Sequence, residues 1–349
     1  MTIQSAVSFL GKKETVRGTL AAALLAGSLS VPFAAAEAEY EFTMGAIVSP
    51  GDIYGKMTTS VPERIAEATN GKVEITVSDS LVAASQVASA VRDGRLPMSA
   101  ALHTYLAGDE PRMGIFNLPG LIENIDDYQK VRDAFWAEDV ARIWDESWNA
   151  KVFAEGAWCN TRLFSKTPIH SIEDFKGKRL RVHNPQSASL IESLGGKGTP
   201  MPMTEIVPAL ERGVIDGVFT SACVGGTMDI WREAPHVQDW GIAPVTGWAI
   251  LMNNDEWEKL PSDIQEQIQD AMDELQAETF GGYKEFVQKA MDQMEEDGAK
   301  VWSASEEQRA KLNQEKYTQA AYDSWYQRAE EVGFDGPAYV QKIRDVLDK

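Results

Sequence analysis

Cysteine, histidine and long apolar segments are scarce in this sequence, and each scarcity excludes a class of protein. The chain has two cysteines and four histidines in 349 residues, and none of them has the spacing of a zinc site. It contains neither a glycine-rich phosphate loop nor a G-x-S-x-G motif. After residue 36 no apolar run reaches the roughly 18 residues of a membrane-spanning helix. We therefore expect no cofactor, no metal site and no membrane span beyond that point.

Positive charge is also in deficit. Lysine and arginine total 33 against 53 aspartate and glutamate, which gives a formal net charge of −20. Because nucleic-acid binding requires a basic face against the phosphates, we expect no nucleic-acid partner. An anionic ligand would need a local cationic site, since the overall field of the protein repels it.

Residues 1–36 have the pattern of a secretory signal peptide. Three basic residues precede the small, apolar stretch 18–32. The small residues after this stretch fit cleavage after Ala36 or Ala38. No cysteine comes directly after the apolar stretch, which argues against a lipid anchor. We expect an exported protein.

The stretch Ser171–Ser221 alternates strand and helix patterns. A basic strand is predicted at Lys178–Val182, helices at 186–194 and 204–212, and a last strand at 214–220. This alternation is typical of βαβ units in a parallel sheet. Ligands of such sheets bind beyond the carboxyl ends of the strands, and Arg181 and Thr220 fall near those ends.

The same stretch resembles a known family. Residues 174–182 read DFKGKRLRV, and residues 194–217 read LGGKGTPMPMTEIVPALERGVIDG. Both runs are similar, at matching spacing, to the extracytoplasmic solute receptors of TRAP transporters (tripartite ATP-independent periplasmic transporters). The resemblance implies an α/β fold of the two-lobed periplasmic binding protein type, with a long helix that spans both lobes.

The resemblance also divides the chain after the signal peptide into two discontinuous lobes. Lobe 1 is expected to comprise 37–159 and 247–285, and lobe 2 to comprise 160–246 and 286–349. The long helix is predicted at Pro261–Gly298, where apolar residues recur at helical spacing.

A receptor function follows from the resemblance. It implies a periplasmic protein, expected to be monomeric, that binds a small organic carboxylate between its lobes. The closed protein would deliver this ligand to a TRAP membrane permease, which moves it with an ion gradient. Two alternatives are a ligand-sensing partner of a receptor kinase and a secreted enzyme on the same scaffold. The sequence shows no acid–base or nucleophile constellation for an enzyme.

Three ligand contacts follow from the family pattern. Arg181 matches the arginine that pairs with the substrate carboxylate, and a guanidinium can hold a carboxylate with two parallel hydrogen bonds. Arg162 matches a second ligand-reaching arginine, although a surface ion pair is an alternative. Thr220 stands where relatives often have a ligand-binding asparagine, so the substrate of this chain is expected to differ from theirs.

Five further residues have two interpretations each. Asp52 either contacts the ligand or only caps the helix predicted from Ile53. His103, near the end of the predicted strand Met98–Leu106, either binds the ligand or is structural. Trp158 is a pocket wall or a core residue, and one of Trp240 and Trp248 is expected to close over the ligand.

The sequence leaves open the identity of the ligand and the oxidation state of the two cysteines. Two arginines suit a dicarboxylate, or one carboxylate with a hydroxyl or keto oxygen, as in hydroxy, keto and sugar acids. Several tryptophans leave room for an aromatic acid. Cys159 and Cys223 form either a disulfide or two free thiols, and no catalytic signature surrounds a pairing of Cys159 with His183.

Overall fold

The computed structural model describes residues 38–47, 51–242 and 245–349, so the predicted signal peptide, residues 1–36, lies outside the described residues. The strands are β1 (Tyr40–Gly45), β2 (Val73–Ser78), β3 (Met98–Leu102), β4 (Ala150–Trp158), β5 (Thr161–Ser165), β6 (Arg179–Val182), β7 (Lys197–Pro200), β8 (Gly217–Ser221), β9 (His236–Asp239), β10 (Thr246–Asn253) and β11 (Lys300–Ser303). The α-helices are α1 (Ile53–Ala68), α2 (Val87–Arg92), α3 (His103–Leu106), α4 (Ile125–Val131), α5 (Ala137–Trp148), α6 (Pro185–Ser193), α7 (Ile206–Glu211), α8 (Ala222–Thr227), α9 (Ile230–Glu233), α10 (Asn254–Trp257), α11 (Ser262–Glu296), α12 (Glu306–Leu312), α13 (Glu315–Glu331) and α14 (Gly336–Val346).

The first sheet contains five strands in the order β2-β1-β3-β10-β4. β1 pairs in parallel with β2 and β3. β10 runs antiparallel to β3 and β4, and it returns the chain to this sheet after a long excursion. The carboxyl ends of β3 and β4 therefore lie at the same edge as the start of β10.

The second sheet contains six strands in the order β11-β9-β5-β8-β6-β7. β6 pairs in parallel with both β7 and β8, which confirms the βαβ arrangement predicted for this stretch. β5 runs antiparallel to β8, so β5 begins at the edge where β6 and β8 end. Together the two sheets give the two-lobed α/β architecture that the sequence predicts.

The helix α11 is 35 residues long and packs against elements of both sheets. It contacts β4 of the first sheet and α1, which connects β1 to β2. It also contacts β11 of the second sheet and α8, which follows β8. Its buried side chains recur every three or four residues, so a single apolar face makes these contacts. The boundaries of the two lobes stay a prediction.

The predicted strand Met98–Leu106 is wrong in its second half. β3 ends at Leu102, and the short helix α3 begins at His103. A helical turn rotates successive side chains by about 100° instead of about 180°. His103 and Tyr105 therefore do not share a face as they would on a strand, and they reach different surroundings.

Within the described ranges, no helix combines the length and the apolar character that crossing a lipid bilayer requires.

A buried carboxylate in the first sheet is expected to make stability depend on pH. Glu155 on β4 is buried, and its Oε2 accepts a hydrogen bond of 3.2 Å from Nε of Arg132. Burial raises the pKa of Glu155 from 4.5 to about 7, although Arg132 opposes the shift. The native state therefore favours the protonated acid. The stability that protonated Glu155 contributes is fully present below about pH 4.5, and it is lost as the pH rises through about 7.

The variant Glu155→Gln should remove this dependence. Between pH 5 and pH 8, the free energy of unfolding of the wild type should fall by about 2–3 kcal/mol relative to that of the variant. Urea unfolding at both pH values measures this difference. Glu74→Gln, at an exposed position on β2, is the control and should follow the wild type. If the free energies of unfolding of wild type and Glu155→Gln change equally between the two pH values, the prediction is contradicted.

Candidate functional site

A cleft lies where the carboxyl ends of β3 and β4 face those of β6 and β8. It has an inner and an outer compartment. Tyr105, His183 and Met203 line both compartments, so the two adjoin. The position agrees with the expectation that ligands bind beyond the carboxyl ends of strands.

Arg181 is the buried cation of this cleft. It lines the outer compartment from β6, and only 2% of its surface is exposed. Its Nε donates to the carbonyl of Met201 at 2.9 Å, and its Nη1 donates to the carbonyl of Phe219 at 3.0 Å. Burial lowers the pKa of Arg181 to about 10, so the side chain is still charged at neutral pH. In the described part of the chain, no carboxylate lies within 4.0 Å of this guanidinium.

Tyr105 and His183 lie next to Arg181. The Tyr105 hydroxyl points across the cleft to the sulfur of Met203, at 4.0 Å. Burial raises the pKa of Tyr105, which is therefore a neutral phenol. Burial and the neighbouring Arg181 hold the pKa of His183 well below its usual range, so the imidazole is neutral as well.

Sequence reasoning placed neither residue in the cleft. The position of His183 was available from the two-residue period of a strand, because it continues the face that carries Arg181. The position of Tyr105 had no such signal, because it depends on the change from strand to helix at His103.

Threonine residues and one tryptophan line the inner compartment. Thr220 lies near the end of β8, Thr161 opens β5 and Thr246 opens β10. Trp158, at the end of β4, packs its ring against Tyr54 with 4.9 Å between centroids. The structure thus brings Arg181, Thr220 and Trp158 to one cleft, and Trp158 has one face in the pocket and one in the core.

Arg162 lies beside the cleft and is not among the residues that line it. It is opposite Thr220 in the pairing of β5 with β8. Its Nη2 lies 3.2 Å from Oδ2 of Asp239, and its Nη1 donates to the carbonyl of Thr161 at 3.0 Å. Asp239 also pairs with Arg309, at 3.3 Å. The ion-pair interpretation therefore describes Arg162 in the structure, although the pair is mostly buried and not on the open surface.

Asp52 and His103 are in structural positions. The Oδ1 of Asp52 accepts from the backbone N–H of Gly55 at 2.7 Å and so caps α1. His103 is buried between Trp136 and Trp144, with ring centroids 6.5 and 6.1 Å away. Burial lowers the pKa of His103 to about 3. A Cβ at Gly247 would lie 2.6 Å from its Nδ1, so the neighbouring strand requires glycine there. A ligand contact by His103 is therefore corrected to a core role.

Neither of the two later tryptophans closes over the cleft. Trp240 packs in the core of the second sheet against Phe175 and Trp302, and its Nε1 donates to the carbonyl of Ile169 at 3.0 Å. Trp248 is fully buried on β10, at the edge of the Tyr54 ring. The expectation that one of these two tryptophans closes over the ligand is therefore wrong for Trp240 as well as for Trp248, because Trp240 follows β9 and its side chain enters the core.

Cys159 and Cys223 form a disulfide, which resolves the alternatives left by the sequence. Cys159 joins β4 to β5 and lines the inner compartment, and Cys223 lies in α8. The bond therefore fastens the connection between the two sheets to the helix that follows β8. It leaves no thiol for a catalytic pair with His183.

Metal-binding groups of three or more histidine, cysteine or acidic side chains are absent from the ranges that the structure describes.

Comparison with known proteins gives a match to a family model and to curated relatives. Residues 44–328 match the family model described as bacterial extracellular solute-binding protein, family 7. The C4-dicarboxylate-binding periplasmic protein DctP of Rhodobacter capsulatus is 25% identical in a 289-residue alignment that covers 79% of this chain and 83% of that protein.

Two solved structures are similar in fold. DctP7 of Bordetella pertussis, an extracytoplasmic solute receptor binding pyroglutamic acid, superimposes with a TM-score of 0.77 at 19% identity, covering 88% of this chain and 99% of that one. A TRAP periplasmic solute-binding protein from Desulfovibrio salexigens with bound orotic acid gives a TM-score of 0.78 at 21% identity, covering 87% of this chain and 98% of that one.

Proposed function

Because this chain belongs to bacterial extracellular solute-binding protein family 7, the TRAP type, we propose that it is a periplasmic receptor for one small organic carboxylate. Members of this family are solute receptors and not enzymes. The ligand binds in the cleft between the two sheets and is delivered to a TRAP membrane permease, which uses an ion gradient. The receptor acts as a monomer and reaches the periplasm through the signal peptide at residues 1–36.

One observation carries the proposal: Arg181 is a buried cation whose hydrogen bonds go to carbonyls, and no carboxylate of the described chain neutralises it. Burying an unpaired charge is costly, and a ligand carboxylate offsets that cost with charge-assisted hydrogen bonds. The charge of the site is therefore complete only when an anion is bound. Related receptors have been solved with pyroglutamate and orotate, which are both carboxylates.

The surrounding residues have distinct roles in this proposal. Thr220 and Thr161 offer hydroxyls to oxygen atoms of the ligand, and Trp158 gives it an apolar wall. Arg162 acts as a positioning residue, since its ion pair with Asp239 holds β5 behind the inner compartment. Movement of the lobes between open and closed forms is biased by contacts that the ligand makes to both.

Thermal unfolding in the presence of organic acids tests the proposal. Pyroglutamate, orotate, succinate, gulonate and benzoate are offered at millimolar concentration, with the matching uncharged amides as controls. A carboxylate at about 1,000 times its Kd stabilises the native state by about 4 kcal/mol, so the melting temperature should rise by several degrees. Titration calorimetry then measures the affinity. If acids and amides have equal effects across the panel, the proposal is wrong.

A further inference from the structure

The charges around the cleft restrict the class of carboxylate. We infer that the ligand is a monocarboxylate whose remainder is uncharged, in preference to a dicarboxylate or an amino acid. The inference rests on the proposed function, because it takes Arg181 as the anchor of the ligand. It goes further by excluding a second ionic group from the cavity.

The second arginine already has a counter-ion within the protein. Arg162 lies opposite Thr220, whose side chain lines the inner compartment, so it is the nearest candidate for a second carboxylate contact. Its guanidinium is 3.2 Å from Asp239, and both side chains are mostly buried. A ligand carboxylate would have to compete with Asp239 for it. Arg309 on α12, which is half-buried, shares Asp239 at 3.3 Å.

The remaining lining is neutral. Arg181 is the one cation, and no acidic side chain occurs, among the described residues that line the two compartments. His183 borders both compartments, and burial next to Arg181 keeps its imidazole uncharged. Among these described lining residues, a ligand ammonium would find no carboxylate, and a second ligand carboxylate would find no cation besides Arg181.

The arrangement of the two compartments sets the orientation of the bound ligand. Arg181 faces the outer compartment near its junction with the inner one, at Tyr105 and His183. The rest of the ligand extends into the inner compartment, where threonine hydroxyls and the ring of Trp158 form the wall. A charged group placed there would lose its hydration without a counter-ion. Hydroxyl, keto, amide or aromatic groups fit this lining.

Matched pairs of acids at about pH 7.5 test the inference, since both carboxyl groups of the dicarboxylates are then ionised. The pairs are malonate with malonamate, succinate with succinamate, glutarate with glutaramate, and phthalate with benzoate. Titration calorimetry is expected to show that the monocarboxylate of a pair binds at least about tenfold more tightly than the dicarboxylate. Any further acid that stabilises the protein in the thermal test is compared in the same way.

A charge variant makes a second, independent arm. Asp239→Asn keeps the shape of the side chain and releases Arg162 from its counter-ion, so the affinity for succinate should rise at least about tenfold relative to that for succinamate. Asp229→Asn is the matched control. Asp229 pairs with Arg232 at the surface, and its backbone φ of 52° suits asparagine. This variant should retain the selectivity of the wild type.

The outcomes separate the inference from the proposed function. Tighter binding of the monocarboxylates supports both. Tighter binding of the dicarboxylates to the wild type overturns the inference and leaves the proposed function standing. If neither member of any pair binds, and no acid of the wider panel does, the proposed function is overturned together with the inference. An unchanged ratio of affinities in a folded Asp239→Asn protein contradicts the argument that Asp239 neutralises Arg162.

Discussion

Replacing Arg181 with alanine is expected to weaken carboxylate binding by at least about 30-fold. The guanidinium is buried, and truncating one partner of a buried, hydrogen-bonded charge pair costs about 2–5 kcal/mol. Titration calorimetry with the acid that most stabilises the wild type measures the loss. Circular dichroism of the unliganded variant verifies that it is folded.

Two further variants test whether the loss of affinity is specific to the guanidinium of Arg181. Arg181→Lys keeps the charge and loses the planar fork, so it should bind more weakly than wild type and more tightly than Arg181→Ala. Arg179→Ala removes a neighbouring arginine of the same strand. That side chain is exposed and pairs with Asp216 at 2.7 Å, so affinity should change less than about threefold. Equal affinities of wild type and folded Arg181→Ala protein would refute the role of Arg181.

Removing the disulfide is expected to cause the largest loss of stability. Cys159 and Cys223 are 64 residues apart in sequence, and a closed loop of this length restricts the unfolded chain. The double variant Cys159→Ser/Cys223→Ser should lose about 2–4 kcal/mol of the free energy of unfolding. Urea unfolding measures this loss from the midpoint and the slope of the transition.

A reductant supplies the control for the disulfide. Wild-type protein unfolded in urea with excess dithiothreitol should show the lower stability of the double variant, and the variant itself should be insensitive to the reductant. Equal stability of the oxidised wild type and the double variant would show that this loop closure does not stabilise the fold.

The sequence was most informative where structure is local. The alternation of strands and helices in Ser171–Ser221 predicted the parallel pairing of β6 with β7 and β8, because each segment has its own periodicity. The helix α11 was also predictable, since its apolar residues recur at helical spacing over its whole length. The end of β3 was not, because the change to a helical turn at His103 carries no proline or glycine signal.

The site was less predictable, because its charges are paired by residues distant in sequence. Arg162 and Asp239 are on different strands that become neighbours only in the second sheet. The sequence therefore offered two candidate cations, whereas the structure leaves one without a carboxylate partner in the described chain. Trp240 and Trp158 are both tryptophans near strand ends, and only the packing of the folded chain sends one to the core and the other to the cleft.

Long-range electrostatics do not conflict with anion binding. The formal net charge of −20 is spread over the protein, and salt screens exposed charges beyond about 10 Å at moderate ionic strength. The guanidinium of Arg181 acts at contact distance, where burial weakens screening. In the proposed function, specific recognition of an anion by this acidic protein therefore depends on the local cation Arg181.

A crystal structure of the protein with its carboxylate ligand tests the central claim most directly. We expect the carboxylate oxygens to lie within about 3.2 Å of the Arg181 guanidinium nitrogens, with the uncharged part of the ligand against Thr220 and Trp158. A ligand bound in the cleft with its carboxylate paired to another residue, or bound elsewhere on the protein, would contradict the claim.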